Sequence, residues 1–395
     1  MPCRQIWEDV YALEVFASGT SLADIVANDP AFTDTHGVKG DWDAVGAGDL
    51  VHKYNLLVDD AHPVVKAQNT IVEKNLVTGL SMENTVSVTQ VISKPDSVVT
   101  PVVFNAHNLS AFFWLFFQDG VTINAGTTNT ALEILTCVPY ADACPSSFGN
   151  LVRFRQDAGD NNIVDQTLRG VIPSRMVIRG EEGGLIEGEI EWEGANWTDA
   201  ELDGLLAAAS GFDVTAPLKF EDLSVQIDGV AVSIPAFELT FEAPVVQQYY
   251  NQIAAQSVTQ GRFSFTGNIT LPWNEAYTIP AGTGQYVVPI KNFYDGTMMR
   301  LSLVWGDASF TQFAVSDTGT PDYSGVDVLP AGAKNTIVNN YFAIHSYVRI
   351  MDYDETDIDE NPMVPIDFKA LIDDDGTIAG VTSYIAFDVA QNTWS

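Results

Sequence analysis

"LIEGEIEWEG", residues 185–194, alternates almost without error. As a strand, its two-residue period places Glu187, Glu189, Glu191 and Glu193 on one face and Ile186, Gly188, Ile190 and Trp192 on the other. Same-face neighbours on a strand stand about 7 Å apart, inside a Debye length of about 8 Å, so each adjacent pair repels by about a few tenths of a kcal/mol. The glutamate face is therefore expected to be wet, and its charge to serve some purpose, while the other face sits on a core.

The stretches around it read the same way. From "TIVEKNLVTGLSMENTVSVTQVI" (70–92) onward, short runs rich in Val, Thr, Ile and Phe recur between Gly, Pro, Asn and Asp clusters, which is the signature of a mainly β sandwich or barrel. "SVQIDGVAVSI" (224–234) predicts a hairpin about Asp228-Gly229. The exception is "NAHNLSAFFWLFFQDG" (105–120), where Leu109, Phe112, Phe113, Phe116 and Phe117 fall at helical spacing. It predicts a helix capped by Asn108 or Ser110, ending before Gly120 and laying one face on a sheet.

The organisation expected along the chain is an irregular N-terminal arm or decoration over 1–70, a β unit over 71–200, a linker over 201–215 and a second β unit over 216–395. A short helix is expected near "SLADIVAN" (21–28) within the arm, and "NWTDAELDGLLAAASGFDVTAP" (196–217) reads as a short helix and linker between the units. The units look loosely repeated. Ser174, Val177 and Arg179 precede an acidic and Gly-rich turn and an alternating strand, and Ser346, Val348 and Arg349 precede an acidic connection and a strand with Ile366, Asp367 and Phe368.

The 395 residues carry 52 Asp plus Glu against 18 Lys plus Arg, a formal charge of −34. Gripping nucleic acid needs cations that neutralise phosphates, so this balance argues against sequence-reading DNA binding. It suits a high-salt surface, a calcium-rich module or a wall past which a polyanion slides. The most apolar run, "LSAFFWLFF" (109–117), is far short of the ~20 residues that span a bilayer, and the N-terminus shows no basic start followed by an apolar core. Three cysteines, Cys3, Cys137 and Cys144, fit free thiols in a reducing cytoplasm.

Chemistry has little to stand on. His36, His52, His62, His107 and His345 show no metal spacing, and neither a nucleophile elbow nor a phosphate loop occurs, so no catalytic residue, metal site or cofactor is expected. His345 reads as a structural residue. "DYDETDIDEN" (352–361) and "IDDDGT" (372–377) offer oxygen ligands but fit no EF-hand loop, and read as solvated acidic loops.

The order of elements resembles tail tube proteins of long-tailed phages and related viruses. The stretches that carry it are "TPVVFNAHNLSAFFWLFFQDG" (100–120), a strand running into a helix that ends in Gly; "LRGVIPSRMVIRGEEGGLIEGEIEWEG" (168–194), paired strands after a Gly; and "VSIPAFELTFEAPVVQQYYNQIAAQSVTQGRFSFTGNITLPW" (232–273), a strand, a variable loop and a Gly-preceded strand. The closing strands from "MMRLSLVWG" (298–306) to "YIAFDV" (384–389) also match. The resemblance covers roughly 75–395 and implies a β-sandwich or half-barrel with a flanking helix. Its inner sheet would join those of neighbouring copies into trimeric or hexameric rings, stacked into a tube. The implied partners are copies of the chain, other tail proteins and passing double-stranded DNA without specific binding, with no membrane. The implied place is the virion tail, assembled in the host cytoplasm, and Glu187, Glu189, Glu191 and Glu193 become lumen-facing candidates. The rival expectations are a capsid decoration or receptor-binding β-sandwich, and a secreted carbohydrate-binding or hydrolytic β-protein.

Overall fold

The computed structural model describes residues 8–16, 18–27, 50–56, 67–77, 85–95, 97–118, 121–125, 132–137, 145–156, 162–198, 217–228, 230–248, 255, 257–277, 279–280, 286–287, 289–296, 298–305, 341–354, 363–370 and 382–388. In chain order its elements begin with β1 (Glu8–Phe16), α1 (Leu22–Ala27), β2 (Leu50–Asn55), β3 (Ala67–Val77), β4 (Thr85–Pro95), β5 (Val98–Val103) and α2 (Ala106–Phe117). There follow β6 (Val121–Ala125), β7 (Leu132–Cys137), β8 (Gly149–Gln156), β9 (Asn162–Glu181), β10 (Glu187–Glu193) and β11 (Asn196–Thr198). Next come β12 (Leu223–Ile227), β13 (Val230–Val232), β14 (Ala236–Glu242), β15 (Val245–Gln248), β16 (Ser257–Gln260), β17 (Ser264–Pro272) and α3 (Trp273–Tyr277). The chain closes with β18 (Ile279–Pro280), β19 (Tyr286–Val287), α4 (Pro289–Asp295), β20 (Met299–Trp305), β21 (Tyr341–Tyr353), β22 (Met363–Ala370) and β23 (Thr382–Asp388). The fold is mainly β, as the sequence pattern predicts.

Seven strands form one antiparallel row, β5–β10–β9–β14–β17–β22–β21. Only the C-terminal parts of the long strands β9 and β21 lie in it. The N-terminal part of β9 pairs instead with β8 and β11, and β8 leads on to β1 and β2. The N-terminal part of β21 pairs with β20 and β23, and β20 leads on to β12 and β13. The same set of pairings thus occurs twice. Even the ends match: β5 finishes with Val103 opposite Glu187 and runs into α2, and β17 finishes with Pro272 opposite Met363 and runs into α3.

This arrangement corrects the expected arm. Glu8–Phe16 and Leu50–Asn55 are paired strands, the positional counterparts of β12 and β13. Burial of Tyr11, Leu13 and Val15 on one face of β1 and of Ala12, Glu14 and Phe16 on the other secures it in place. Asn196–Thr198, read as the start of a helix and linker, is instead a strand on β9. Residues 201–215 lie outside the described residues, but pairing crosses from one expected unit to the other at β9–β14 and again at β7–β23. The hairpin at Asp228 forms as read: Ile227 faces Val230, and Asp228 adopts φ 51°.

Gly170 is where β9 turns from one sheet into the other. Asn150 faces Arg169 and Gly149 faces Val171, leaving Gly170 as the extra residue of a bulge at φ +61°, a conformation that favours glycine. A Cβ there would stand 2.7 Å from Leu22 Cδ1.

The helix α2 starts three residues earlier than expected. Its cap is Asn105, whose side chain accepts from the Asn108 N–H at 2.8 Å. It also lacks the wet face expected of it, since residues 108–118 are all buried. A helix this apolar all round is stable only when enclosed, and β2, β7, β9 and β23 lie against it. Rings from the second half complete the enclosure: Phe113 stacks on Phe342 at 5.5 Å, and Phe117 meets Phe263 at 5.1 Å. The C-terminal carbonyls, shut away from water, are met by amides. Gln118 donates to Leu115 O, Gln260 donates to Phe116 O at 3.1 Å, and the Gln118 side-chain oxygen accepts from the Ser147 N–H at 2.9 Å.

His345 is structural, buried in β21 with Nδ1 2.9 Å from Ser302 Oγ. Burial, reinforced by the Arg300 charge, pulls its pKa down to about 3. It is neutral when folded and binds a proton below about 6.5 when unfolded, so its contribution to stability is present above that value and is lost as the pH falls from 6.5 toward 3. Urea melts of His345→Gln are expected to show a shallower decline over that window than the parent. Close packing sets a second expectation. A Cβ on Gly188 would stand 1.8 Å from Val177 O, whereas one on Gly183, at φ +77°, meets nothing within 4 Å. Gly188→Ala should cost more than about 3 kcal/mol and Gly183→Ala about 1 kcal/mol in the same melts.

Candidate functional site

The strand that opened the sequence reading is β10, held between β5 and β9. Gly188, Ile190 and Trp192 are buried, while Glu187 is exposed and Glu189, Glu191 and Glu193 are half-buried. The four predicted residues therefore share one polar face of the seven-stranded row, as alternation requires.

Pairing register reveals what shares that face. Arg179 of β9 stands opposite Glu187 on one side and Glu238 of β14 on the other, and Arg175 stands between Glu191 and Glu242. The Arg175 Nη1 donates to Glu189 Oε1 at 2.8 Å, and its Nε lies 3.5 Å from Glu242 Oε1. Farther along, Asn268 Nδ2 donates to Asp367 Oδ1 at 2.6 Å, and Asp352 stands opposite Asp367. Counting Glu181, Glu187, Glu189, Glu191, Glu193, Glu238, Glu242, Asp352 and Asp367 against Arg175, Arg179, Arg349 and Lys369, nine carboxylates meet four cations, a net of minus five.

The acidity is thus broader than one strand and partly compensated. Sequence reading passed over Arg175 and took Arg179 only as part of the repeat, although their four-residue separation in "SRMVIR" puts both on one strand face, and the turn into β10 puts that face beside the glutamates. At the β9–β10 turn the face deepens into a cleft of about 450 Å³ lined by Arg179, Glu181, Leu185, Glu187, Glu238 and Asn268.

The described residues of this surface present fixed charge of both signs. Among the described residues no three His, Cys, Asp or Glu side chains gather as a metal would need. Of the acidic loop from Asp352 to Glu360 only 352–354 are described, and residues 372–377 lie outside, as do Cys3 and Cys144. Cys137 is a buried free thiol whose pKa burial pushes up, leaving it unreactive. Among the described residues no helix is long and apolar enough to cross a membrane. The chain matches no known family model and no curated protein sequence.

The arginine bridge is open to solvent in part, with side-chain exposures of 39% and 34% for Arg175 and Glu189, so screening holds it to less than about 1 kcal/mol. Arg175→Gln should change the urea midpoint little at low salt and not detectably at high salt.

Proposed function

We propose that this protein is a structural tube subunit without enzymatic activity. In this reading it is the major tail tube protein of a long-tailed virus, and its polar sheet face lines a channel for double-stranded DNA. The observation that carries the reading is a net-acidic face spread over one continuous seven-stranded sheet whose pairing pattern occurs twice in the chain. A duplex carries one negative charge per about 1.7 Å of axis, so a wall of like sign discourages adhesion along the whole path. Arginines embedded among the glutamates hold the carboxylates in place without presenting a net cationic track. Three copies, each supplying two matched units, make a ring of six units; one copy supplying one unit of the wall would need six.

Negative-stain electron microscopy of the purified protein tests this, at rising concentration and salt, because salt weakens self-repulsion. Rings or hollow tubes are expected. Monodisperse single chains at every salt concentration would overturn the reading in favour of a decoration or a binding module. In virions, lysine at Glu187, Glu189, Glu191 and Glu193 together is expected to slow DNA ejection while leaving tail length normal. Unchanged ejection kinetics would remove the face from the channel.

A further inference from the structure

Two tyrosines meet through their hydroxyls at the surface. Tyr294 lies in the last turn of α4 and Tyr353 ends β21, 59 residues further along the chain, and the hydroxyl of one hydrogen-bonds that of the other. Their ring centroids stand 6.2 Å apart with the planes at 73°, and Phe293 lies edge-on to both rings, 5.5 Å from Tyr294 and 5.3 Å from Tyr353. Phe293 and Tyr353 pack in turn on the main core. Beside them the Arg349 Nη2 donates to Gly296 O at 2.7 Å, which ties the residue after α4 to β21. The pair is thus held from both sides. Tyr294 is 70% exposed and Tyr353 half-buried, so an oxidant in solution reaches them without unfolding the chain.

A hydroxyl pair placed in this way suits the coupling of phenols. A phenoxyl radical carries part of its unpaired electron on the carbons next to the one that bears oxygen. When two such carbons join, the two oxygens end up side by side across the new bond, so rings that already touch through their oxygens present the edges that react. Linked phenol rings stay twisted about that bond, and the steep angle between the two planes is no obstacle.

We infer that Tyr294 and Tyr353 form an oxidative modification site, at which a one-electron oxidant joins them into a dityrosine staple between α4 and β21. Each tyrosine loses one electron and its phenolic proton. The two radicals form one carbon–carbon bond, and the hydrogens on the joined carbons then move to the oxygens and restore both hydroxyls. With hydrogen peroxide as the terminal oxidant and a haem peroxidase drawing the electrons one at a time, the two electrons and two protons reduce one peroxide to two waters. The bond closes a loop of 59 residues, which removes conformations from the unfolded chain, while in the folded chain α4 already rests on β21. Both residues belong to one chain, so the inference is independent of the tube reading.

The test treats the full chain in dilute solution with a haem peroxidase and hydrogen peroxide, and digests the product with trypsin. A single chain lighter by two hydrogens is expected, showing the blue fluorescence of dityrosine and yielding peptide 292–300 joined to peptide 350–369. Tyr294→Phe and Tyr353→Phe keep the rings and should each remove that joined peptide. The oxidised parent should unfold at a higher urea concentration than before treatment, and Tyr294→Phe at the same concentration before and after. Dityrosine found only at other tyrosines or only between chains would overturn the proposal, as would tyrosine oxidation that yields no joined peptide. An unchanged urea midpoint in the stapled parent would overturn its clamping of α4.

Discussion

The structure depends on enclosing one helix. From Asn108 to the C-cap Gln118 every residue is buried, so the helix survives only if apolar walls surround it. Neither half of the chain provides those walls alone. β9 and β7 come from the first half, β23 and the rings of Phe241, Phe263 and Phe342 from the second. Each fully buried phenylalanine is worth roughly 1.5–3 kcal/mol of transfer free energy, so splitting the halves apart would expose a costly surface. The two repeats are thereby fused into a single body, and the row of seven strands outside the core becomes one continuous surface.

That continuity gives the charge its meaning. Isolated, the four glutamates of β10 would be a modest local repulsion. Set in the row with Glu238 and Glu242 on β14 and Asp367 on β22, they become a field that extends across several strands, tempered by Arg175 and Arg179. A partly compensated face of this kind costs little stability and still keeps a net negative sign. The face carries a net of minus five against a formal −34 for the whole chain, so most of the acidity lies beyond it.

Much of this was legible in the sequence where two-residue alternation was clean. β10, β14 and β22 each alternate buried residues with more exposed ones, and their wet and core faces read directly from the letters. The cap of α2 was missed because Asn105 and Asn108 are both plausible acceptors, and only the fold shows which N–H lies within reach. β1 was missed because both of its faces are buried, Glu14 included, which erases the alternation that marks a half-buried strand. The role of Gly170 depends on the register of β8 against β9, and that register is a non-local fact. The arginines facing the glutamates were visible as residues, but their opposition follows only once the β9–β10 hairpin is in register.

The most direct test of the central claim is an electron cryomicroscopy map of the polymer at side-chain resolution. The account predicts a hollow assembly in which β10, β9, β14, β17 and β22 form the inner wall, with Glu187, Glu189, Glu191 and Glu238 facing the bore. A map with that face turned outward, or buried against a neighbouring copy, would contradict it.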